Sequence, residues 1–338
     1  MLEVIDSLAD METLRTIWQE LERNPEMRGF QTYAWCRAAA ETCARQGRLC
    51  IAHWHREGTA TQVIFPGWVD RRGNWRLIGD EIGDVGDCVY AETKENVSQA
   101  YREFAEWVGH QKGIKRVWIQ KLEGQRSTLA NLVAAFHGSI VFRDHLRGQL
   151  VSDRTDDFIG GQTHLKQRGR RHLQAIAAKS DGLRLEIVND PVKALDDMRA
   201  LAQVMVAKRW RRADWIDERI CRVVKAMMAE GLMEVAELVG DDGVQALGLK
   251  IVKTAQSDAW LCLYREKDLV TSLHVRYMAR KVKDSPWRFD FGVGVYDYKW
   301  QSFRPEAHAS FTFRYSKGWL GKTWDLVRMN VRILRSLR

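Results

Sequence analysis

Trp287-Arg288-Phe289-Asp290-Phe291-Gly292-Val293-Gly294-Val295-Tyr296-Asp297-Tyr298-Lys299-Trp300 is the stretch on which the reading of the chain turns. It opens as a strand, with Phe289 and Phe291 on one side and Arg288 and Asp290 on the other. Gly292 and Gly294 break the alternation and leave room for a turn or for a close approach to the backbone. A carboxylate, a phenol and an amine follow directly, at Asp297, Tyr298 and Lys299. An acidic strand residue followed by a glycine turn bearing Tyr-Lys describes a site at the carboxyl end of a strand. The same residues also describe a core strand leaving through a polar loop.

Working outward, Asp258 to Tyr264 reads as a strand and 270–283 as a helix with Val275, Met278 and Val282 along one stripe. Strands at 233–239 and 244–253 are joined by Asp241-Asp242-Gly243, a strong hairpin signal. Helices at 192–210 and 215–230 precede them, and a short helix at 298–303 and a strand at 308–315 follow. The first half has the same order. It runs through helices at 10–22 and 32–46, strands at 48–55 and 60–66, and a third strand from Trp75 to Ile78. A helix marked by Val97, Tyr101, Phe104 and Val108 comes next, then a strand from Lys115, a helix from Leu129 and extended chain from Ser139. Residue identity between the halves is slight, so the repeat lies in element order.

An antiparallel meander entering one strand–helix–strand crossover gives a mixed parallel and antiparallel sheet. This is the order of the GNAT acyltransferase fold, here twice in tandem, an α/β protein. The expected domains are 1–152 and 183–315, linked by a basic helix over 153–182 and followed by a basic amphipathic tail, 316–338. The Phe289-Asp290-Phe291-Gly292 and Tyr298-Lys299-Trp300 run resembles the motif that closes the CelD-like, cellulose-biosynthesis-type group of GNAT acetyltransferases. That group is related to the FemAB aminoacyl transferases. The basic helix at 164–179, the strand at 183–188 and the acidic Gly-Asp loop at 83–87 fall where the group has similar features.

The resemblance implies acyl transfer from acetyl-CoA or another acyl-CoA to an amine or hydroxyl of a saccharide or its precursor, in exopolysaccharide or envelope assembly. Such enzymes hold the CoA pyrophosphate on backbone amides at a helix start. The matching turn, Arg265-Glu266-Lys267-Asp268-Leu269, has no glycine, so Arg265 and Lys267 would supply charge in place of amides. Arg168 and Arg171, in a segment with five basic residues against Asp181 alone, would grip an anionic donor or acidic glycan; a solvated helix face is the plainer account. Asp84 and Asp87 would face a cleft and bind substrate, or form a solvated acidic turn. Thioester chemistry needs a base and an acid about one carbon. Asp290 would be the base, Tyr298 the acid and Lys299 the anchor for an anionic group. In the alternative, Asp290 pairs with Lys299 or Arg288, and Tyr298 caps a loop.

Composition bounds the partners. The 338 residues carry 53 Lys and Arg against 44 Asp and Glu, a net charge of +9 that favours anionic ligands. No nucleic-acid-binding motif is present, so nucleic acid enters only as a charged tRNA, the donor of a FemAB-like transferase. A non-catalytic partner of a polysaccharide-synthesis complex is a further reading. The six cysteines include no Cys-x-x-Cys pair, and His53 and His55 lack a visible third ligand, so no metal site is expected. No signal peptide and no run of 18 apolar residues appear, which makes the cytoplasm the expected compartment. In the tail, Leu320, Trp324, Val327, Val331 and Leu334 form a stripe flanked by Lys322, Arg328, Arg332, Arg335 and Arg338. Residues 319–338 would lie on anionic lipid at the inner face of the membrane, or pack on the body.

Overall fold

A computed structural model describes residues 1–91, 97–152, 167–283, 285–294, 296–318 and 321–323, without the side chains of 168–170, 172, 297, 298 and 301. The tail beyond 323, expected to be amphipathic, lies outside the described residues. Up to the middle of the chain the elements are β1 (Leu2–Ile5), α1 (Leu8–Met11), α2 (Arg15–Leu21), α3 (Tyr33–Gln46), β2 (Gly47–Leu49), β3 (Ile51–His55), β4 (Gln62–Phe65), β5 (Gly67–Asp70), β6 (Asn74–Leu77), β7 (Val89–Tyr90), α4 (Ser98–His110), β8 (Arg116–Glu123), α5 (Ser127–Ala135) and β9 (Ile140–Ser152). The rest comprises α6 (Gln167–Lys179), β10 (Arg184–Val188), α7 (Pro191–Ala207), α8 (Glu218–Ala229), β11 (Met233–Gly240), β12 (Gly243–Lys253), β13 (Gln256–Tyr264), α9 (Asp268–Lys281), β14 (Trp287–Val293), α10 (Asp297–Ser302) and β15 (Glu306–Ser316). They form two units, one of Met1–His145 with Ala309–Arg338 and one of Leu146–His308.

In the first unit, β2, β5, β6, β8 and β15 lie side by side in that order. Every pairing is antiparallel except β6 with β8, which run parallel after the chain crosses through α4. A second, antiparallel sheet has the order β1-β3-β4-β7. The strand expected over 48–55 is interrupted at Cys50, and the one over 60–66 ends at Pro66. One hairpin therefore contributes β2 and β5 to the first sheet and β3 and β4 to the second. Proline has no amide hydrogen to donate, and the bend is closed by Cys50 N–H to the Gly67 carbonyl and Ile78 N–H to the Pro66 carbonyl. Leu2–Ile5, unassigned from sequence, pairs with β3.

The core of this unit is aromatic. Phe104 of α4 stacks on Phe65 at 4.3 Å and meets Trp75 edge-on at 5.0 Å, while Tyr101 meets Phe65 at 5.1 Å. The stripe Val97, Tyr101, Phe104 and Val108 is buried along its length, as its helical spacing requires.

The second unit has the sheet order β10-β11-β12-β13-β14-β9. The hairpin signal at 241–243 is realised: Gly240 faces Gly243 across a two-residue loop, and Gly243 takes φ +85. Asp190 caps α7 by accepting from Val192 N–H, with Pro191 at the first helical position, and Asp217 caps α8. Alternation along β11 shows how the faces are used. Ala236 and Leu238 join Leu269, Leu273 and Tyr277 of α9 in one core, whereas Glu237, between them, pairs with Lys193 of α7 at 2.7 Å. Each unit is thus an antiparallel meander leading into one parallel crossover, so the fold is α/β with two GNAT-like domains in tandem and mixed sheets. Among the described residues no helix is long and apolar enough to cross a membrane.

Phe104→Ala removes the ring on which four aromatic neighbours pack. Urea unfolding should register a loss of about 3–5 kcal/mol, and a loss below about 1 kcal/mol would mean the site collapses without leaving a cavity.

Candidate functional site

In the second unit, β13 and β14 run parallel, but their register covers only Gln256 with Arg288, Ser257 with Phe289 and Asp258 with Asp290. Beyond Asp258 the remainder of β13 has no paired residue on β14. On its other edge β14 is bulged against β9: Asp290 faces Gln149 and Val293 faces Arg147, so Phe291 and Gly292 together stand opposite Gly148. Gly292 takes φ +70, a conformation that a side chain would strain. Gly148 is small for a different reason, since a Cβ there would lie 2.6 Å from Cγ of Pro305.

Asp290 holds this bulge. Its Oδ2 accepts from Arg147 Nη2 at 2.6 Å and from Gln149 Nε2 at 3.1 Å, and its Oδ1 accepts from Gly292 N–H at 2.8 Å. Arg147 is fully buried and Asp290 nearly so. Arg147, on β9, is thus a buried partner of Asp290. Lys299, also buried, donates from Nζ to the Phe291 carbonyl, with the Gly292 and Val293 carbonyls at 3.5 and 3.3 Å. Its charge serves the backbone of the bulge, and Tyr296 lies over it at 4.9 Å. Tyr296 itself is 53% exposed. The side chain of Tyr298 lies outside the described residues.

A second polar group sits on the α9 side of the sheet. Lys250 Nζ lies 2.8 Å from His274 Nδ1, and Cys262 Sγ lies 3.7 Å from His274 Nε2. A protonated lysine only donates, so Nδ1 is the acceptor and Nε2 carries the hydrogen towards sulfur. Burial pushes Lys250 down to about 8, with the Lys299 charge acting in the same direction and Cys262 opposing it. Burial, then Lys250, then Lys299 hold His274 well below the usual histidine range. Phe291 joins the two groups, meeting the His274 ring at 5.6 Å and stacking on Phe303 at 4.9 Å. Sequence reading missed Arg147, Gln149, Lys250, Cys262 and His274. The one available signal was a charged residue inside the otherwise apolar run Leu247–Val252.

Two of the residues expected to bind the donor, Arg265 and Lys267, have other partners. Arg265 donates through Nε to the Val244 carbonyl at 3.1 Å, and Lys267 lies over the Trp210 ring at 5.4 Å. Lys267 precedes α9 without a side-chain cap, and Asp268, in its first turn, takes an ion pair from Lys179. A carboxylate therefore already meets the positive end of α9. Arg171 is exposed on α6, which packs against α9 and α10, and the side chain of Arg168 lies outside the described residues.

Asp84 and Asp87 belong to the first unit. Asp87 is buried, paired with Arg126 at 2.9 Å and bonded to Thr128 and to Cys88 N–H. Burial raises its carboxyl above the ordinary range against the pull of Arg126. Asp84 is half-buried. Among the described residues, no three His, Cys, Asp or Glu side chains gather as metal ligands would.

No protein-family model matches the chain, and no curated protein matches it significantly. Solved structures do. The C-terminal domain of a putative lysylphosphatidylglycerol synthetase from Agrobacterium fabrum aligns with a TM-score of 0.63 at 14% identity, covering 96% of each chain. FemX aligns at 0.58 and 11% identity over 94% of this chain and 97% of that one. L-PGS from Bacillus licheniformis aligns at 0.53 and 13% identity over 83% and 85%. At these identities the likeness is one of fold. It supports the FemAB-like side of the resemblance and gives none to the CelD-like side, whose loose motif at 289–300 is here a strand bulge and its clamp.

Proposed function

We propose that the chain is an aminoacyl transferase whose reaction takes place where β13 and β14 part. The carrying observation is that β14 keeps register with β13 for only three residues and is bulged against β9 at 290–293, where Arg147, Asp290 and Lys299 clamp it. The fold shared with FemX and with a lysylphosphatidylglycerol synthetase domain supports transfer of an activated acyl group. In such a step the acceptor's amine or hydroxyl forms a bond to the acyl carbon, the donor ester C–O bond breaks, and the nucleophile's proton passes to the leaving oxygen.

A charged tRNA suits the donor role better than acyl-CoA. Asp268 and Glu266 stand at the start of α9, where a CoA pyrophosphate would need free amides and positive potential. The net charge of +9 favours a polyanionic donor. In this reading Asp290 and Lys299 are positioning residues that shape the bulge, and Tyr298 remains the proposed acid.

Transfer of label from radiolabelled aminoacyl-tRNA to a lipid or peptidoglycan-precursor acceptor is the test, run beside [acetyl-14C]acetyl-CoA. Label should move from tRNA alone, and titration calorimetry should find no CoA binding. Micromolar CoA affinity with acetyl transfer would overturn the proposal. Tyr298→Phe should lower turnover about a hundredfold at unchanged melting temperature, as expected for loss of a general acid.

Asp290→Asn removes the carboxylate charge from its buried contact with Arg147, and unfolding should show a loss of about 3–5 kcal/mol. Turnover that falls only in step with this loss assigns Asp290 to the fold.

The Lys250–His274 pair sets a pH dependence. Because the folded-state value of Lys250 lies near 8, below its unfolded value, the unfolded chain binds more protons between those two values. Stability contributed by this group therefore rises with pH from about 8 towards the ordinary lysine range and is flat below. For His274, also depressed, stability falls as pH drops below the ordinary histidine range. Melting curves of Lys250→Met against the parent should lose the alkaline rise; an unchanged slope would place that titration elsewhere.

A further inference from the structure

The first unit contains a cleft of about 600 Å³ that none of the foregoing chemistry uses. Its charged lining comes from separate segments: Arg72 from the β5–β6 turn, Lys112 and Lys115 from the chain after α4, Arg116 from the start of β8, and Lys317 from the end of β15. Among the described residues no carboxylate lines it, and none of these five cations has an ion-pair partner. The carboxyl end of α4 accounts for Lys112, since cations suit the negative end of a helix. It does not account for the other four.

The segments are tied together. Lys115 N–H donates to the Gly73 carbonyl at 2.8 Å, Arg116 N–H to the same carbonyl at 3.2 Å, and Lys317 N–H to the Lys115 carbonyl at 3.0 Å. Gly73 takes φ +79, and a Cβ there would lie 3.1 Å from Cγ of Lys115, so the glycine leaves room for the lysine stem. Two of the cationic heads are also oriented: Arg116 Nε donates to Ser316 Oγ at 3.2 Å, and Lys317 Nζ donates to the Gln111 carbonyl at 2.7 Å. Burial alone lowers the Lys317 ammonium below the usual lysine range. An anion seated in this concavity is attracted by all five cations at once. The concavity has the size of a small-molecule site. Planar guanidinium and point-charge ammonium groups together are the donor set for phosphate oxygens.

We infer that this cleft binds a phosphate-bearing ligand, held by Arg116 and Lys317 with Arg72, Lys112 and Lys115 around it. The site belongs to the first unit, and its ligand does not depend on the donor assigned to the second.

The test uses the full chain at low salt, with inorganic pyrophosphate followed by titration calorimetry and by thermal shift. Vesicles of phosphatidylglycerol, and of phosphatidylcholine as the neutral control, form a second arm. Pyrophosphate should bind and raise the melting temperature, and Arg116→Gln and Lys317→Met should each weaken binding about tenfold or more, as loss of a charge-assisted hydrogen bond requires. Both variants must keep the parent's ligand-free melting temperature; should either fall short, Lys112→Gln, on an exposed side chain, supplies the same reading. Sensitivity to these substitutions seen only with phosphatidylglycerol vesicles identifies a lipid headgroup as the source of the phosphate, and seen with pyrophosphate identifies a soluble one. The inference is overturned if neither probe binds, or if binding survives all three substitutions. It is also overturned if the same residues govern binding of an RNA oligonucleotide that pyrophosphate does not displace.

Discussion

A strand that leaves its neighbour must find other partners for its backbone, and on β14 two come from side chains: Asp290, held by Arg147, takes Gly292 N–H, and Lys299 donates to the Phe291 carbonyl. Asp290 is the last residue of β14 in register with β13. One oxygen takes the arginine and an amide of Gln149, and the other takes Gly292 N–H, a donor displaced by the bulge. Lys299 supplies the complementary half by donating to the carbonyls that the same distortion exposes. Buried polar groups must be paired, so bulge and clamp are one feature.

The clamp places the Lys299 charge close to other buried groups. Burial lowers both Lys250 and His274, and Lys299 acts in the same direction, with Phe291 packed on the His274 ring. A buried amine beside a neutral imidazole avoids much of the penalty that two charged groups would carry there. The fold thus tolerates a lysine on the apolar face of β12 by lowering its basicity to about 8 and giving it the neutral His274 ring as acceptor.

Much of this fold was legible because its signals are local. The aromatic stripe of α4, the Asp-Asp-Gly hairpin and the alternation of 287–291 each depend on residues within one element, and each is where periodicity puts it. What escaped depends on contacts between distant positions. Arg147 and Asp290 are 143 residues apart, and β9 marks its buried arginine with nothing that a surface strand would lack. His274 reads as one polar residue on an apolar helix face until Lys250 arrives from another strand. The turn before α9 was legible as glycine-free, but the pairing of Asp268 with Lys179 was not, because the lysine closes a different helix. The sharing of one hairpin between two sheets was half visible: Pro66 marks a break, while Cys50 does not.

That shared hairpin has a consequence for the dynamics of the first unit. Residues 47–70 carry ladder hydrogen bonds in both sheets, so neither sheet can open along this hairpin without pulling on backbone bonds of the other. Regions that exchange amide hydrogens together are those whose bonds break in one event. The amides of β3, β4, β2 and β5 therefore constitute a single cooperative unit of exchange, and the bend at Cys50 and Pro66 acts as the seam that makes two sheets open as one.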